Sequence, residues 1–207
     1  MEPDASWPAF EGRYLRVDVE TWGAGTWEVV RRRGPAGQGA VCVVAITPSG
    51  RVLLVRVRRP PVRTSLLEVP AGLLDREGED AIACATRELL EETGYRAGAM
   101  GFLGGWYSSA GMTDEYVQAF LAEVPEEPEG DHDEEVLEVV AMPFEQAVAT
   151  ARAGRIRDAK TALAILLAEA RRGRPAGPAT PSPCGGAGDV RPSQAGPSGP
   201  APGGPVR

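Results

Sequence analysis

The feature that most constrains this chain is one short helical segment, Ala81–Thr93, whose second half carries Glu88, Glu91 and Glu92. Gly94 follows it, in the position where helices end on a left-handed residue. At about 100° per residue, Glu88 and Glu92 lie about 40° apart and Glu91 about 60° to the other side. Ile82, Ala85 and Leu89 form an adjoining apolar stripe, so the glutamates border the buried face. Like charges one turn apart repel, and the C-terminal end of a helix disfavours anions. A chain shaped for stability alone avoids this arrangement. A divalent cation removes the conflict, because Mg2+ takes oxygen ligands and is shared between carboxylates and substrate phosphates. On the helix alone, a solvated acidic face with Arg87 pairing to Glu91 reads equally well.

The surroundings narrow the class. The 207 residues carry a formal net charge of −7. Composition breaks after residue 172: 18 of the last 35 residues are Gly or Pro. That stretch cannot bury enough apolar surface to offset the entropy of ordering it, and residues 173–207 are expected to be a disordered tail. Three scattered cysteines (Cys42, Cys84, Cys184) and one histidine (His132) fit neither a disulfide scaffold nor a zinc site. No run approaches the roughly 18 apolar residues of a membrane span, and no signal-like start is present. The acidic balance opposes nucleic-acid binding. A cytoplasmic protein with no nucleic-acid or membrane partner is expected.

Patterning predicts strands over 14–20, 26–30, 40–46, 52–57, 66–69, 100–107, 116–124 and 136–141. Helices are expected over 81–93, 144–152 and 158–171. Residues 40–46 are almost wholly apolar, which marks a strand buried on both faces. The expectation is an α+β fold: an α/β/α sandwich on a mixed sheet with an N-terminal β-hairpin extension. Residues 1–38 form the extension, 39–172 the main domain and 173–207 the tail.

The order of residues around the helix adds a resemblance. From Glu79 onward, Glu79, seven residues, Arg87-Glu88-Leu89, Leu90, Glu91-Glu92, Thr93 and Gly94-Tyr95 resemble the Nudix box, G-x5-E-x7-R-E-U-x-E-E-x-G-U. One departure stands: Gly72 and Glu79 enclose six residues where the box has five. The resemblance implies a Nudix hydrolase, with Glu88 and Glu92 as main metal ligands and Glu91 as a further ligand or the holder of a water. Arg87 would orient the glutamates and Glu79 would brace it. The ion implied is Mg2+ or Mn2+.

Over roughly residues 10–170 the chain is similar to the ADP-ribose pyrophosphatase subfamily. Glu68-Val69-Pro70-Ala71-Gly72 resembles that subfamily's approach to the box, which implies the Ala71 carbonyl as a ligand and substrate-side roles for Glu68 and Gly72. Val55-Arg56-Val57-Arg58-Arg59 parallels a V-R-Q-Y-R strand and implies a diphosphate or ribose contact from Arg59. Ser109-Ala110-Gly111-Met112-Thr113-Asp114-Glu115 resembles a loop whose glutamate is the catalytic base, here Glu115, with Met112 beside the substrate. Ala110 stands where that loop has proline. Asp133-Glu134-Glu135 echoes an acidic turn, and residues 154–161 a helix start reading G-x-[IV]-x-D-[AS]-K-T. Tyr14, Trp22 and Trp27 could stack on adenine where a hairpin crosses to a second subunit, or could be packing residues; Trp27 is taken as the contact. His132 is expected at the surface and Cys84 as an inert apolar residue.

The reaction implied is Mg2+-dependent cleavage of ADP-ribose to AMP and ribose 5-phosphate by a homodimer. A rival keeps the chemistry and changes the substrate to another nucleoside diphosphate sugar or a dinucleotide. A third reading is a non-catalytic nucleotide-binding domain, against which stands the intact set of box glutamates.

Overall fold

The structure is a computed structural model that describes residues 1–33 and 39–172. The expected tail, with Cys184, lies outside the described residues.

Ten strands and three helices follow in chain order: β1 (Ala5–Glu11), β2 (Leu15–Trp22), β3 (Gly25–Arg32), β4 (Gly39–Ile46), β5 (Arg51–Arg59), β6 (Thr64–Glu68), β7 (Ala71–Leu73), α1 (Ala81–Thr93), β8 (Met100–Tyr107), β9 (Tyr116–Glu123), β10 (Val136–Pro143), α2 (Phe144–Arg152) and α3 (Ala159–Arg171). A short 3-10 turn, Pro60–Val62, separates β5 from β6. The main sheet runs β10-β5-β4-β9-β8, with β6 added to β5 and β7 to β4. The β4–β9 pair is parallel and the other pairs antiparallel, so the sheet is mixed.

The apolar run of β4 explains the layering. Alternate residues Val41, Val43 and Ala45 pack with Cys84, Ala85 and Leu89 of α1. Their neighbours Cys42 and Val44 pack on the opposite side with Phe144 and Ala147 of α2 and Ala164 and Ile165 of α3. Each buried Val, Leu or Ile is worth roughly 1.5–3 kcal/mol, so β4 holds helices against both faces of the sheet. The result is the α/β/α sandwich.

The N-terminal extension departs from a simple hairpin. It is a three-stranded antiparallel sheet, β1-β2-β3. The sequence reading missed β1 because all seven residues are exposed and Pro8 sits at a register shift. It also missed β7, a three-residue strand whose partner, β4, is 30 residues upstream.

Helix α1 has local signals at both ends. The Asp80 side chain accepts from the Ala83 N–H at 2.8 Å. Gly94 closes it at φ 73°, and a Cβ there would lie 2.1 Å from the Gly130 carbonyl oxygen. Asp158 caps α3 in the same way, accepting from the Thr161 N–H at 2.9 Å.

Candidate active site

Arg87 is the hub of α1. Its Nε and Nη2 donate to the two oxygens of Glu79 at 2.8 and 2.9 Å, a bidentate pair. Its Nη1 donates to Glu88 at 2.6 Å and to Glu91 at 2.9 Å. Hydrogen bonding to Arg87 holds the Glu79 carboxyl below the usual carboxylate range. Glu88 goes the other way: burial, with the charges of Glu91 and Asp75, raises it against the pull of Arg87.

Glu92 lies deeper. Burial first, then the charge of Glu88, pushes its carboxyl up to about 7, although the Ala71 N–H donates to it at 2.9 Å. Among the described residues no Arg, Lys or His lies within ion-pair distance of Glu92. A carboxylate in such surroundings is costly to keep charged without a cation. The donors gathered here are all oxygen: the carboxylates of Glu88, Glu91 and Glu92 and the peptide of Ala71. This set suits a hard divalent ion such as Mg2+. As they lie, no three His, Cys, Asp or Glu side chains among the described residues are disposed around one point. Glu88 and Glu91 are both engaged by Arg87.

Ala71 and Gly72 line a cleft of about 750 Å³, together with Arg59 of β5, Lys160 of α3, Arg32 of β3 and Glu115. The long-range pairings that place these groups were not legible locally. Arg59 donates Nε and Nη2 to Glu68 at 2.7 and 2.8 Å, and Lys160 bonds the same carboxylate. Lys160, the only lysine in the chain, also reaches Asp158 at 3.0 Å. Burial alone would raise the Glu68 carboxyl, but Arg59 and Lys160 outweigh it and hold it below its ordinary value.

Glu68, for which the resemblance implies a substrate-side role, is 1% exposed and is not among the residues that line the cleft. Its two oxygens are spent on fixing Arg59 and Lys160. Sequence reasoning quoted Lys160 inside the α3 motif without a role; its uniqueness as a lysine was the available signal. Arg32 was missed altogether.

Glu115 sits at the cleft with its carboxylate accepting from Arg32 Nε. Burial opposes ionisation there, but bonds from Arg32 and Ser108 hold its carboxyl below the usual range. Met112 and Trp27 are not in this cleft. They line an adjoining hollow of about 720 Å³ with Trp22, Arg31 and Asp114, and Tyr107 borders both spaces. Tyr14 lines neither and is exposed. His132 is exposed, and burial first of all pushes the Cys42 and Cys84 thiols up to about 12, leaving them un-ionised near neutral pH.

A cleft that gathers Arg32, Arg59 and Lys160 beside the strand that packs on the carboxylate helix suits an anionic substrate. The NUDIX domain model matches residues 37–165, and the chain belongs to the Nudix family; it is a Nudix hydrolase. Hydrolases of this family generally use divalent metal ions. The chain is 36% identical over 159 residues to a Bacillus subtilis protein named ADP-ribose pyrophosphatase, covering 75% of this chain and 85% of that one. It is 36% identical over 143 residues to a Yersinia enterocolitica protein named GDP-mannose pyrophosphatase, covering 64% and 74%. It is 31% identical to a Bacillus methanolicus protein named methanol dehydrogenase activator, covering 75% and 85%. In fold it is similar to a crystal structure described as an ADP compounds hydrolase, with a TM-score of 0.67 at 22% identity, covering 84% of this chain and 96% of that one. No helix among the described residues is long and apolar enough to cross a membrane.

Proposed function

We propose that this protein hydrolyses the pyrophosphate bond of ADP-ribose to AMP and ribose 5-phosphate, with Mg2+ or Mn2+ as the ion. The observation that carries the reading is the meeting of opposite needs around Ala71–Gly72. Arg59, Lys160 and Arg32 offer positive charge to a diphosphate, while Glu88 and Glu92, in contact with Gly72 and Ala71, want a cation. Glu88, Glu91, Glu92 and the Ala71 carbonyl would hold the ion, which would supply charge neutralisation for the diphosphate and lower the pKa of water.

The chain's own residues do the rest. Arg87, braced by Glu79, orients Glu88 and Glu91. Arg59 and Lys160, fixed by Glu68, bind the diphosphate, and Gly72 leaves the space that Glu88 fills. Glu115, ionised near neutral pH, takes the proton from the attacking water. Trp27 and Met112 offer apolar contact to the base from the adjoining hollow.

The Bacillus subtilis relative supports ADP-ribose as the substrate. The Yersinia relatives favour a second reading, GDP-mannose or another nucleoside diphosphate sugar. Purified protein should be assayed against a panel of nucleotide sugars and dinucleotides, with the metal omitted and restored. The expected result is metal-dependent AMP release with the highest kcat/KM for ADP-ribose. A higher kcat/KM for GDP-mannose moves the assignment to the second reading, and no cleavage of any substrate refutes both.

We also propose a homodimer joined through the N-terminal sheet, whose Trp7 and Phe10 on β1 are exposed. Light scattering should give twice the 21.8 kDa chain mass; a monomer at micromolar concentration overturns it.

A further inference from the structure

We propose that Arg31 is a positioning residue for the loop that carries Glu115: through Asp114 it sets the backbone that presents the base. The proposal rests on the reading of Glu115 as that base. Three consecutive residues of β3 grip the loop in order. The Val30 N–H donates to the Met112 carbonyl at 2.8 Å, and Val30 forms a parallel bridge with Thr113. Arg31 Nη1 donates to Asp114, and Arg32 Nε donates to Glu115. β3 is the last strand of its sheet, so the loop runs along its otherwise unpaired edge.

The two arginines are held differently. Arg31 Nε donates to Asp18 at 3.0 Å and Nη2 to Glu20 at 2.6 Å, both on β2. Those side chains are only 3% and 7% exposed, and Arg16 adds a second cation to Asp18. Buried carboxylates of this kind require their cation, so the sheet itself orients the Arg31 guanidinium. Its remaining nitrogen then meets Asp114. Arg32 has Glu115 as its one carboxylate partner among the described residues and stays 44% exposed. Arg31 is therefore the fixed point and Arg32 the looser hand. Reaching three carboxylates from three nitrogens of one planar fork is a task that the single nitrogen of a lysine does not repeat. Within the loop, the Met112 and Thr113 N–H groups both donate to the Ser109 carbonyl at 2.9 Å, which makes the turn but does not fix it to the rest of the molecule.

Asp114→Asn is the first test, because it leaves Arg31, Asp18 and Glu20 paired within the sheet. With ADP-ribose and Mg2+, kcat should fall about tenfold or more while KM stays within about twofold, as expected for a misplaced base. Asp114→Glu should recover part of the loss. Arg31→Lys should lower kcat in the same direction and add little on the Asp114→Asn background. Hydrogen–deuterium exchange without substrate supplies the second readout: peptides over residues 109–115 should exchange about tenfold faster in Asp114→Asn, with β4 unchanged. Unchanged exchange overturns the proposal, as does unchanged kcat or a rise confined to KM. A wild-type protein that cleaves no nucleotide sugar overturns the functional reading and the positioning role with it, while the exchange data still report whether Arg31 grips the loop.

Discussion

Gly72 lies so close to Glu88 that a Cβ at position 72 would fall 1.9 Å from the Glu88 carboxyl carbon. The contact joins β7 to α1 and leaves no room for a Cβ while the Glu88 carboxyl stays where it is. Gly72→Ala must therefore displace Glu88 or part β7 from α1. Turnover should drop about 10²-fold or more, since misplacement of a reacting group by about 1 Å has that effect. Stability should fall by no more than about 1 kcal/mol, the low end of overpacking, because the group displaced is the end of a flexible side chain. Steady-state kinetics and urea melts on one sample check both; normal turnover would separate Glu88 from the reaction.

Glu92 should show the opposite link between stability and activity. Glu92 is half-buried and has no cationic side chain within ion-pair distance among the described residues, so replacing its carboxylate by a neutral amide removes a desolvation cost. In EDTA, Glu92→Gln should be more stable than wild type by on the order of 1 kcal/mol, and turnover should fall about 10²-fold. Adding Mg2+ should raise the Tm of wild type more than that of the variant. A variant destabilised in EDTA would contradict the account of Glu92.

Glu115 is expected to act in turnover and not in affinity. Glu115→Gln should cut kcat about 10²-fold or more with little change in KM. Full activity in the variant would remove Glu115 from the base role.

Glu68 gives an acid-side signature. Its folded-state carboxyl lies below its ordinary value through Arg59 and Lys160. It therefore contributes stability that is complete above the unfolded value, about 4.3, and is lost as pH falls through the folded one. Wild type should lose stability below about pH 4 more steeply than Glu68→Gln. Near neutral pH the variant should be less stable by about 2 kcal/mol, a value discounted because Arg59 is half-exposed. Parallel acid-side stability curves in urea for the two proteins would remove Glu68 from this role.

Much of the frame was open to a linear reading. Periodicity and end signals placed α1, α2, α3 and eight of the strands because each depends on neighbours within a few residues. β1 escaped, since an exposed strand with a proline carries no alternation. β7 escaped because three residues form a strand only when a distant partner is beside them. The site divided along the same line. Arg87, Glu88, Glu91 and Glu92 share one helix, and the contacts of Arg87 with Glu88 and Glu91 follow from their spacing, with Glu79 just upstream.

By itself, then, the chain's sequence determined the helix of clustered carboxylates, the doubly buried β4 and the layered class they require, all set by local period and hydrophobicity. Tertiary structure alone decided that Glu68 serves Lys160 across 92 residues and that Arg31 and Arg32 hold Asp114 and Glu115 across 83. It alone decided that the Ala71 N–H meets Glu92 across 21 residues. The reason is physical: charge pairing and burial depend on distance in space, which the fold sets and which separation along the chain does not encode.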